Sequence, residues 1–323
     1  MKYQAYALAA VAAAGFSVSN QSVAQQWPDK PVHIVVPFPP GGGTDIQARL
    51  LSTEFQKSTG QSFIIDNRTG ASGLIAAQLV VDSPPDGYTI LFTSGSISVV
   101  TTLYASRMKF DVNRDLEPIS WISSTPLVLA VHPSVPAHSV KDLVALAKGR
   151  PGGMNVGGNT AGSTAHLSAE MFNQMAKTRA TIITYRGGGP AVIALVSGEL
   201  DFAFVTAPSI MPFLNSGKAR GIAVTTPKRS SVLPDLPTMD SIYPGFTADN
   251  WYAMFYPKGT PKAIVDSMNQ EIRKAANTPE LKAFYPKQAL DVVASSPEEL
   301  GALLKREIPK YAQVIQNGNI RMQ

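Results

Sequence analysis

The sequence predicts an α/β fold built from two blocks of alternating strands and helices. The first block runs from a β-branched run at His33–Pro37, through a helix, a strand and a second helix, to a strand at Thr89–Phe92. The second block repeats the pattern between Asn155 and Val205. Because parallel strands need a crossover helix between them, each βαβαβ block predicts a parallel sheet with right-handed crossovers. A chain of 323 residues is also long enough for two domains.

The elements of the first block follow from its turns. Pro39–Asp45 (PPGGGTD) is a glycine turn in which Thr44 or Asp45 can cap a helix with apolar residues at helical spacing. Gly60 ends that helix, and Asn67–Gly73 (NRTGASG) forms the next turn. The remaining elements are strands at Phe63–Asp66 and Thr89–Phe92 and a helix at Leu74–Val81.

The second block starts again with a strand and a glycine loop. An extended run at Val128–Val131 and an amphipathic helix at Val140–Lys148 precede it. Ser163 is the predicted N-cap of a helix through Lys177. The other elements are strands at Asn155–Gly157, Thr181–Tyr185, Asp201–Val205 and Gly221–Thr225 and a helix at Ala191–Ser197.

The end of the chain returns to the first block. An apolar strand at Trp251–Tyr256 is followed by two helices, Pro261–Asn277 and Pro297–Gln316. The second block is then an insertion, so the chain crosses twice between domains and forms a hinge beside one cleft. The predicted domains are residues 25–124 plus 250–323 and residues 125–249.

The first 26 residues have the composition of an export signal. Lys2 is their only charge, Ala7–Phe16 is apolar, and Ser22-Val23-Ala24 fits the small-x-small rule for signal peptidase. An uncleaved anchor is the alternative, but the apolar run is short for a bilayer span. We therefore expect residues 1–24 to be a signal peptide, cleaved after Ala24, and the protein to reach the periplasm.

Composition excludes several classes of site. The chain has no cysteine, which excludes disulfides, thiol catalysis and cysteine-ligated metal. Its four histidines do not stand at metal-ligand spacing, and the HExxH, P-loop and GxGxxG motifs are absent. The formal net charge of +5 comes from scattered basic residues, which argues against nucleic acid as a partner. No cofactor is expected.

Glycine-rich turns at strand ends are the main candidates for a binding site. Their backbone N–H groups and the helices that follow them can bind a carboxylate, although any single turn could simply be a tight βα connection. Ser94-Gly95-Ser96 also follows a strand, at the edge where parallel sheets place ligands. The four turns are Pro40–Asp45, Gly70–Gly73, Gly157–Ser163 and Gly187–Gly189.

Several side chains near these turns have two interpretations each. Arg68 and Arg186 adjoin glycine turns and could hold an acid in a bidentate contact, or be solvated. Phe38 and Trp251 could line the cleft or belong to the core. His166 could face the cleft, but a packing or capping role is favoured. An exported hydrolase using Ser163 and His166 is the alternative function.

The sequence is similar to the Bug family, the extracytoplasmic solute receptors of tripartite tricarboxylate transporters. The similarity rests on blocks in order along the whole mature chain: WPDKPVHIVVPFPPGGGTD, DNRTGASG, SPPDGYTILF, HPSVPAHSVKDLVALAK, GSTAHLSAEMF and YRGGGPAVIALVSGELDFAF. The resemblance implies a type II periplasmic binding protein fold, two α/β domains that close on a ligand, and no catalysis. It also implies membrane transporter subunits or a sensor kinase as partners, and a monomer.

The resemblance further implies that loops of both domains hold a small organic acid through backbone amides, hydroxyls and ordered water. We carry the family's binding positions onto the matching residues of this sequence and add Ser94 and Thr206, because each follows a predicted strand. The predicted ligand-binding residues are then Phe38, Gly41, Gly42, Gly43, Thr44, Asp45, Ser94, Asn159, Ser163, Thr164, His166, Tyr185, Gly187, Gly188, Ala191 and Thr206.

Two departures from the family pattern bear on the ligand. Thr206 stands where many members carry an acidic or amide residue, and Arg186-Gly187-Gly188 replaces a common Lys-Gly-Ser. Because Thr206 cannot pair with an ammonium group, we expect a ligand without an amine, namely a di- or tricarboxylate or an aromatic carboxylate.

Overall fold

The computed structural model describes residues 27–41, 43–150, 153–159, 162–185 and 188–320. The predicted signal peptide and the predicted site residues Gly42 and Gly187, with Arg186, lie outside them. The strands are β1 (Val32–Val36), β2 (Phe63–Asn67), β3 (Thr89–Ser94), β4 (Leu116–Thr125), β5 (Leu127–Val131), β6 (Asn155–Gly158), β7 (Thr181–Thr184), β8 (Phe202–Thr206), β9 (Arg220–Val224), β10 (Asn250–Pro257) and β11 (Asp291–Val292).

Helices connect nearly all of these strands. Across the part of the chain that the structure describes, no helix is both long enough and apolar enough to cross a bilayer. The α-helices are α1 (Gly43–Thr59), α2 (Leu74–Val81), α3 (Ser96–Leu103), α4 (Val112–Asp115), α5 (Val140–Gly149), α6 (Thr164–Ala176), α7 (Gly188–Val196), α8 (Ala207–Asn215), α9 (Lys262–Ala276), α10 (Pro279–Lys287) and α11 (Pro297–Asn317).

The strands form two sheets, which confirms the predicted α/β class. The first has the order β11-β4-β10-β3-β1-β2, and the second has the order β7-β6-β8-β5-β9. The predicted parallel pairing is right for β1 with β2 and β3, and for β6 with β7 and β8. It does not extend to the whole sheets, because β10 runs antiparallel between β3 and β4, and β5 runs antiparallel between β8 and β9.

The ten-residue strand β4 is absent from the predicted elements. Its sequence, LEPISWISST, contains Pro118 and three serines, and two of these, Ser120 and Ser123, are fully buried. Buried serines remove the alternation of apolar and polar residues by which a half-buried strand is identified. β4 pairs along its whole length with β10 and also pairs with β11, so it holds the C-terminal elements on the first sheet.

The chain passes between the sheets twice, after β4 ends at Thr125 and before β10 begins at Asn250. A third connection is helix α11. Its N-terminal half packs Leu304 into a core of the first sheet, whereas its C-terminal half packs Tyr311 and Val314 into a core of the second. The predicted domain boundaries, 124/125 and 249/250, stay a prediction, and α11 contributes to both cores.

Candidate functional site

Two cavities lie where loops of the first sheet face loops of the second. Gly43 and Asn159 line one of them, and Phe38 and Ser163 line the other. The loops concerned follow the carboxyl ends of β1 and β6, which is where parallel strands place ligand sites. We call them the Asn159 cavity and the Ser163 cavity.

Three helices begin at the Asn159 cavity, which has a volume of about 310 Å³. Helix α1 starts with Gly43, α7 starts with Gly188, and α8 follows its N-cap residue Thr206. Unpaired N–H groups in a first helical turn make such ends attractive to anions. The other lining residues are Ile46, Gln47, Thr125, Asn159, Gly189, Pro208, Ser209, Tyr252, Phe284, Gln288 and Leu290.

Hydrogen bonds fix the polar side chains of this cavity. Ser123 donates its hydroxyl to Gln47 Oε1 at 2.7 Å, and the hydroxyls of Thr206 and Ser209 are 2.9 Å apart. Side chains held in this way are pre-organised, so binding need not immobilise them again.

Asn159 and Tyr252 leave hydrogen-bonding capacity for a ligand. Asn159 Oδ1 is buried and has no hydrogen-bond partner within the described part of the chain. Burial raises the pKa of Tyr252 to about 12, so its phenol stays neutral and can donate. A Cβ at Gly43 would lie 3.1 Å from that hydroxyl, and the glycine therefore keeps the approach to it open.

The Ser163 cavity, of about 300 Å³, also has helix starts in its wall. Helix α3 begins at Ser96, whose hydroxyl lies 3.1 Å from that of Ser94. Helix α6 begins at Thr164 after the N-cap Ser163, as predicted, and the Ser163 hydroxyl accepts the His166 N–H at 3.3 Å. The other lining residues are Pro37, Phe38, Pro39, Thr69, Gly70, Ser72, Gly162 and Asn250.

Neither cavity has a charged side chain among its described lining residues. Among the described lining residues, positive potential comes from helix N-termini, each equivalent to about half an elementary charge, and from neutral donors. All four predicted glycine turns contribute to these walls, through Gly43, Gly70, Gly162 and Gly188.

Asp45 holds the β1–α1 loop from inside. Its carboxylate, 2% exposed, accepts the Gly41 N–H and Arg49 Nε at 2.9 Å each and Asn67 Nδ2 at 3.0 Å. Burial opposes ionisation, but these donors outweigh it and hold the pKa of Asp45 below 3.8. The prediction that Thr44 or Asp45 caps α1 is wrong because the helix already begins at Gly43.

His166 holds the loop before α6 by a hydrogen bond with the same sequence spacing as that of Asp45. Its Nδ1 accepts the Gly162 N–H at 2.9 Å, four residues earlier, as Asp45 accepts that of Gly41. Burial lowers the pKa of His166 below 6.5, so the ring is neutral. The ring bonds to the loop and the Ser163 hydroxyl serves as a cap, so the Ser–His pair that a hydrolase would use is not formed.

The structure divides the predicted site residues into three groups. Gly43, Asn159, Gly188 and Thr206 line the Asn159 cavity, and Phe38, Ser94, Ser163 and Thr164 line the Ser163 cavity. Gly41, Thr44, Asp45, His166, Tyr185 and Ala191 line neither.

Residues of the last group have structural partners. Tyr185 donates to Glu199 Oε1 at 2.8 Å, and Ala191 is fully buried in the second sheet's core. Arg68 pairs with Asp66 at 2.9 Å and also lines neither cavity. Trp251 is 1% exposed and packs in a core of the first sheet, so its interpretation as a core residue is right.

The sequence did not indicate Gln47, Tyr252, Asn250 and Ser209. Gln47 lies about one helical turn after Gly43, and Ser209 lies about one turn after Thr206. Because the sequence indicated Gly43 and Thr206, a helical projection from them would also have indicated Gln47 and Ser209. Asn250 and Tyr252 carry no local signal, because only the antiparallel insertion of β10 beside β3 brings them to the loops.

Comparisons with known proteins agree with this architecture. A model for the tripartite tricarboxylate transporter family receptor (TctC) matches residues 47–320. The BugT protein of Bordetella pertussis is 34% identical and covers 93% of this chain and 92% of its own. R. palustris Rpa4515, solved with adipate, is 34% identical at a TM-score of 0.79, covering 91% of this chain and 99% of its own. MatC of Rhodopseudomonas palustris, solved with bound malate, is 28% identical at a TM-score of 0.75, covering 90% and 100%.

The similarity to solved receptors over nearly the whole chain confirms the predicted periplasmic binding protein fold. Family members are substrate-binding receptors, and nothing supports the alternative of a hydrolase. The chain belongs to the receptor family of the tripartite tricarboxylate transporters.

Proposed function

We propose that this protein is a periplasmic receptor for a small dicarboxylate, which it delivers to the membrane subunits of its transporter. The observation that carries the proposal is that helix starts from both sheets surround two cavities whose described lining residues carry no charge. A carboxylate there would accept hydrogen bonds from several N–H and O–H donors at once.

A dicarboxylate has one charged group for each of the two cavities. The Asn159 and Ser163 cavities are each lined by residues of both sheets, and the hydrogen-bonded pair Asn250–Tyr252 connects their walls. One carboxylate would occupy each cavity. Adipate and malate, present in two of the related structures, are both dicarboxylates, which supports this assignment.

The absence of an acidic side chain among the described lining residues also favours a ligand without an amine. An ammonium group would face helix N-termini and hydroxyl donors, and it would lose its water without gaining a counter-charge. Thr206, which lines the Asn159 cavity, offers a hydroxyl and no negative charge.

Ligand binding would favour closure of the two walls. Because each cavity has walls from both sheets, a ligand makes its full set of contacts only when the walls are close together, and it shifts the population toward that state. The closed form is the one we expect the transporter to recognise.

Titration calorimetry with matched ligands tests the proposal. We expect adipate or malate to bind at least about tenfold more tightly than its monomethyl ester, because the ester loses one charged acceptor. The control is the diamide, which keeps the shape without charge and should not bind. Equal affinity for diacid and monoester would overturn the two-carboxylate assignment.

A further inference from the structure

One face of the Asn159 cavity is apolar although the cavity lies at the polar ends of the strands. Ile46 of α1 is 41% exposed and lines it together with Phe284 and Leu290. Phe284 belongs to α10 and Leu290 follows that helix, so segments about 240 residues apart form this face. We call these three residues the Ile46 face.

The Ile46 face is rigid on the side of α10. Thr125 donates its hydroxyl to the Ala289 carbonyl at 3.0 Å, and Leu290 N–H bonds to Tyr285 O at 2.9 Å. β11, which follows directly, pairs with β4. Leu290 therefore cannot withdraw from the cavity without breaking these hydrogen bonds.

The rest of the cavity is polar, with donors from Gln47, Asn159, Thr206, Ser209 and Tyr252. The carboxylate in this cavity meets these donors and the helix starts, so the carbon skeleton next to it must lie against the remaining surface. A hydroxyl on that skeleton would lose its bond to water at the Ile46 face and find no replacement there, whereas a methylene would gain by leaving water.

We propose that the Ile46 face determines ligand specificity, selecting a dicarboxylate with an apolar carbon skeleton over a hydroxylated one of the same length. This inference rests on the proposed function, because it describes the part of the same ligand that lies between the charged groups. Ile46 is the residue best suited to a test, since it is exposed and its replacement leaves the core intact.

The test compares adipate with galactarate, which has the same six-carbon backbone and four hydroxyls, by titration calorimetry. We expect the unaltered protein to bind adipate at least about tenfold more tightly. Ile46→Ser should weaken adipate binding by about fourfold for each methylene that the shorter side chain leaves in water, without weakening galactarate binding. Ile46→Leu should restore the preference. Ile64→Ser removes an equally exposed isoleucine of β2 that lines neither cavity, and should change nothing.

The outcomes separate this inference from the proposed function. Equal binding of the two acids, or an equal loss of both in Ile46→Ser, would overturn the role of the Ile46 face and leave the dicarboxylate receptor standing. Binding of neither acid, nor of malate, to the unaltered protein would overturn both proposals.

Discussion

Asn250 donates a hydrogen bond from Nδ2 to the Tyr252 hydroxyl at 2.9 Å, and the two side chains line different cavities. They stand two residues apart on β10, so they share a face of the strand. Because Tyr252 accepts this bond, its own proton is free for a ligand in the Asn159 cavity. The pair thus joins the two cavities of the candidate site.

Replacing Tyr252 with Phe tests that role. The aromatic ring stays packed in a core of the first sheet, but the cavity loses a neutral hydrogen-bond donor. We therefore expect dicarboxylate affinity to fall about 10- to 100-fold, the usual cost of losing a hydrogen bond to a charged group. Titration calorimetry measures the change. Tyr256→Phe is the control, because its hydroxyl is buried, has no partner among the described residues and lines neither cavity. Unchanged affinity in Tyr252→Phe would show that the hydroxyl does not contact the ligand.

The Asn159→Asp variant places a negative charge in the Asn159 cavity. A charge about 4 Å from a bound carboxylate costs about 4 kcal/mol at an effective dielectric constant near 20, so we expect affinity to fall more than about 100-fold. Asn113→Asp makes the same change of net charge at an exposed position of α4. If Asn159→Asp binds within about threefold of the unaltered protein, no carboxylate lies near Asn159.

The sequence predicted the loops of the site better than its side chains. All four glycine turns line the cavities, because glycine and helix-start signals are local. Which cavity each loop enters depends on strand order, and the antiparallel insertion of β10 has no local signal. Asp45 and His166 were predicted to contact the ligand, yet each accepts a glycine N–H four residues earlier, and only the loop geometry shows this use.

The His166–Gly162 bond predicts a pH dependence of stability. Burial lowers the pKa of His166 below 6.5, so its stabilising contribution is present above pH 6.5 and is lost as the pH falls through the lower native value. In the His166→Asn variant an amide oxygen can accept the same N–H without titrating. We expect the unaltered protein to lose free energy of unfolding relative to the variant between pH 7.5 and pH 5, measured by urea unfolding.

Two other groups must be held constant in that comparison. Burial raises the pKa of Asp249 to about 6, which gives a contribution of opposite sign as the pH falls. Glu170, whose carboxylate is 3.9 Å from His166 Nε2, also has its pKa raised by burial. Asp249 is present in both proteins, so its contribution cancels in the difference. Glu170 faces the ring, so the difference reports the titration of the His166–Glu170 pair. A difference in the free energy of unfolding that does not vary with pH would exclude titration of the His166 ring.

Helix α11 predicts that the two sheets unfold together. Leu304 packs in a core of the first sheet and Tyr311 in a core of the second, with Pro309 between them. Tyr311→Ala should lower the free energy of unfolding by about 3–5 kcal/mol, and we expect this loss in the second sheet only. The single calorimetric transition would then split into two. Leu304→Ala, the matched change on the other half of the helix, should lower the stability of the first sheet instead. A single transition in Tyr311→Ala at a lowered melting temperature would mean that the crossings at Thr125 and Asn250 suffice to couple the sheets.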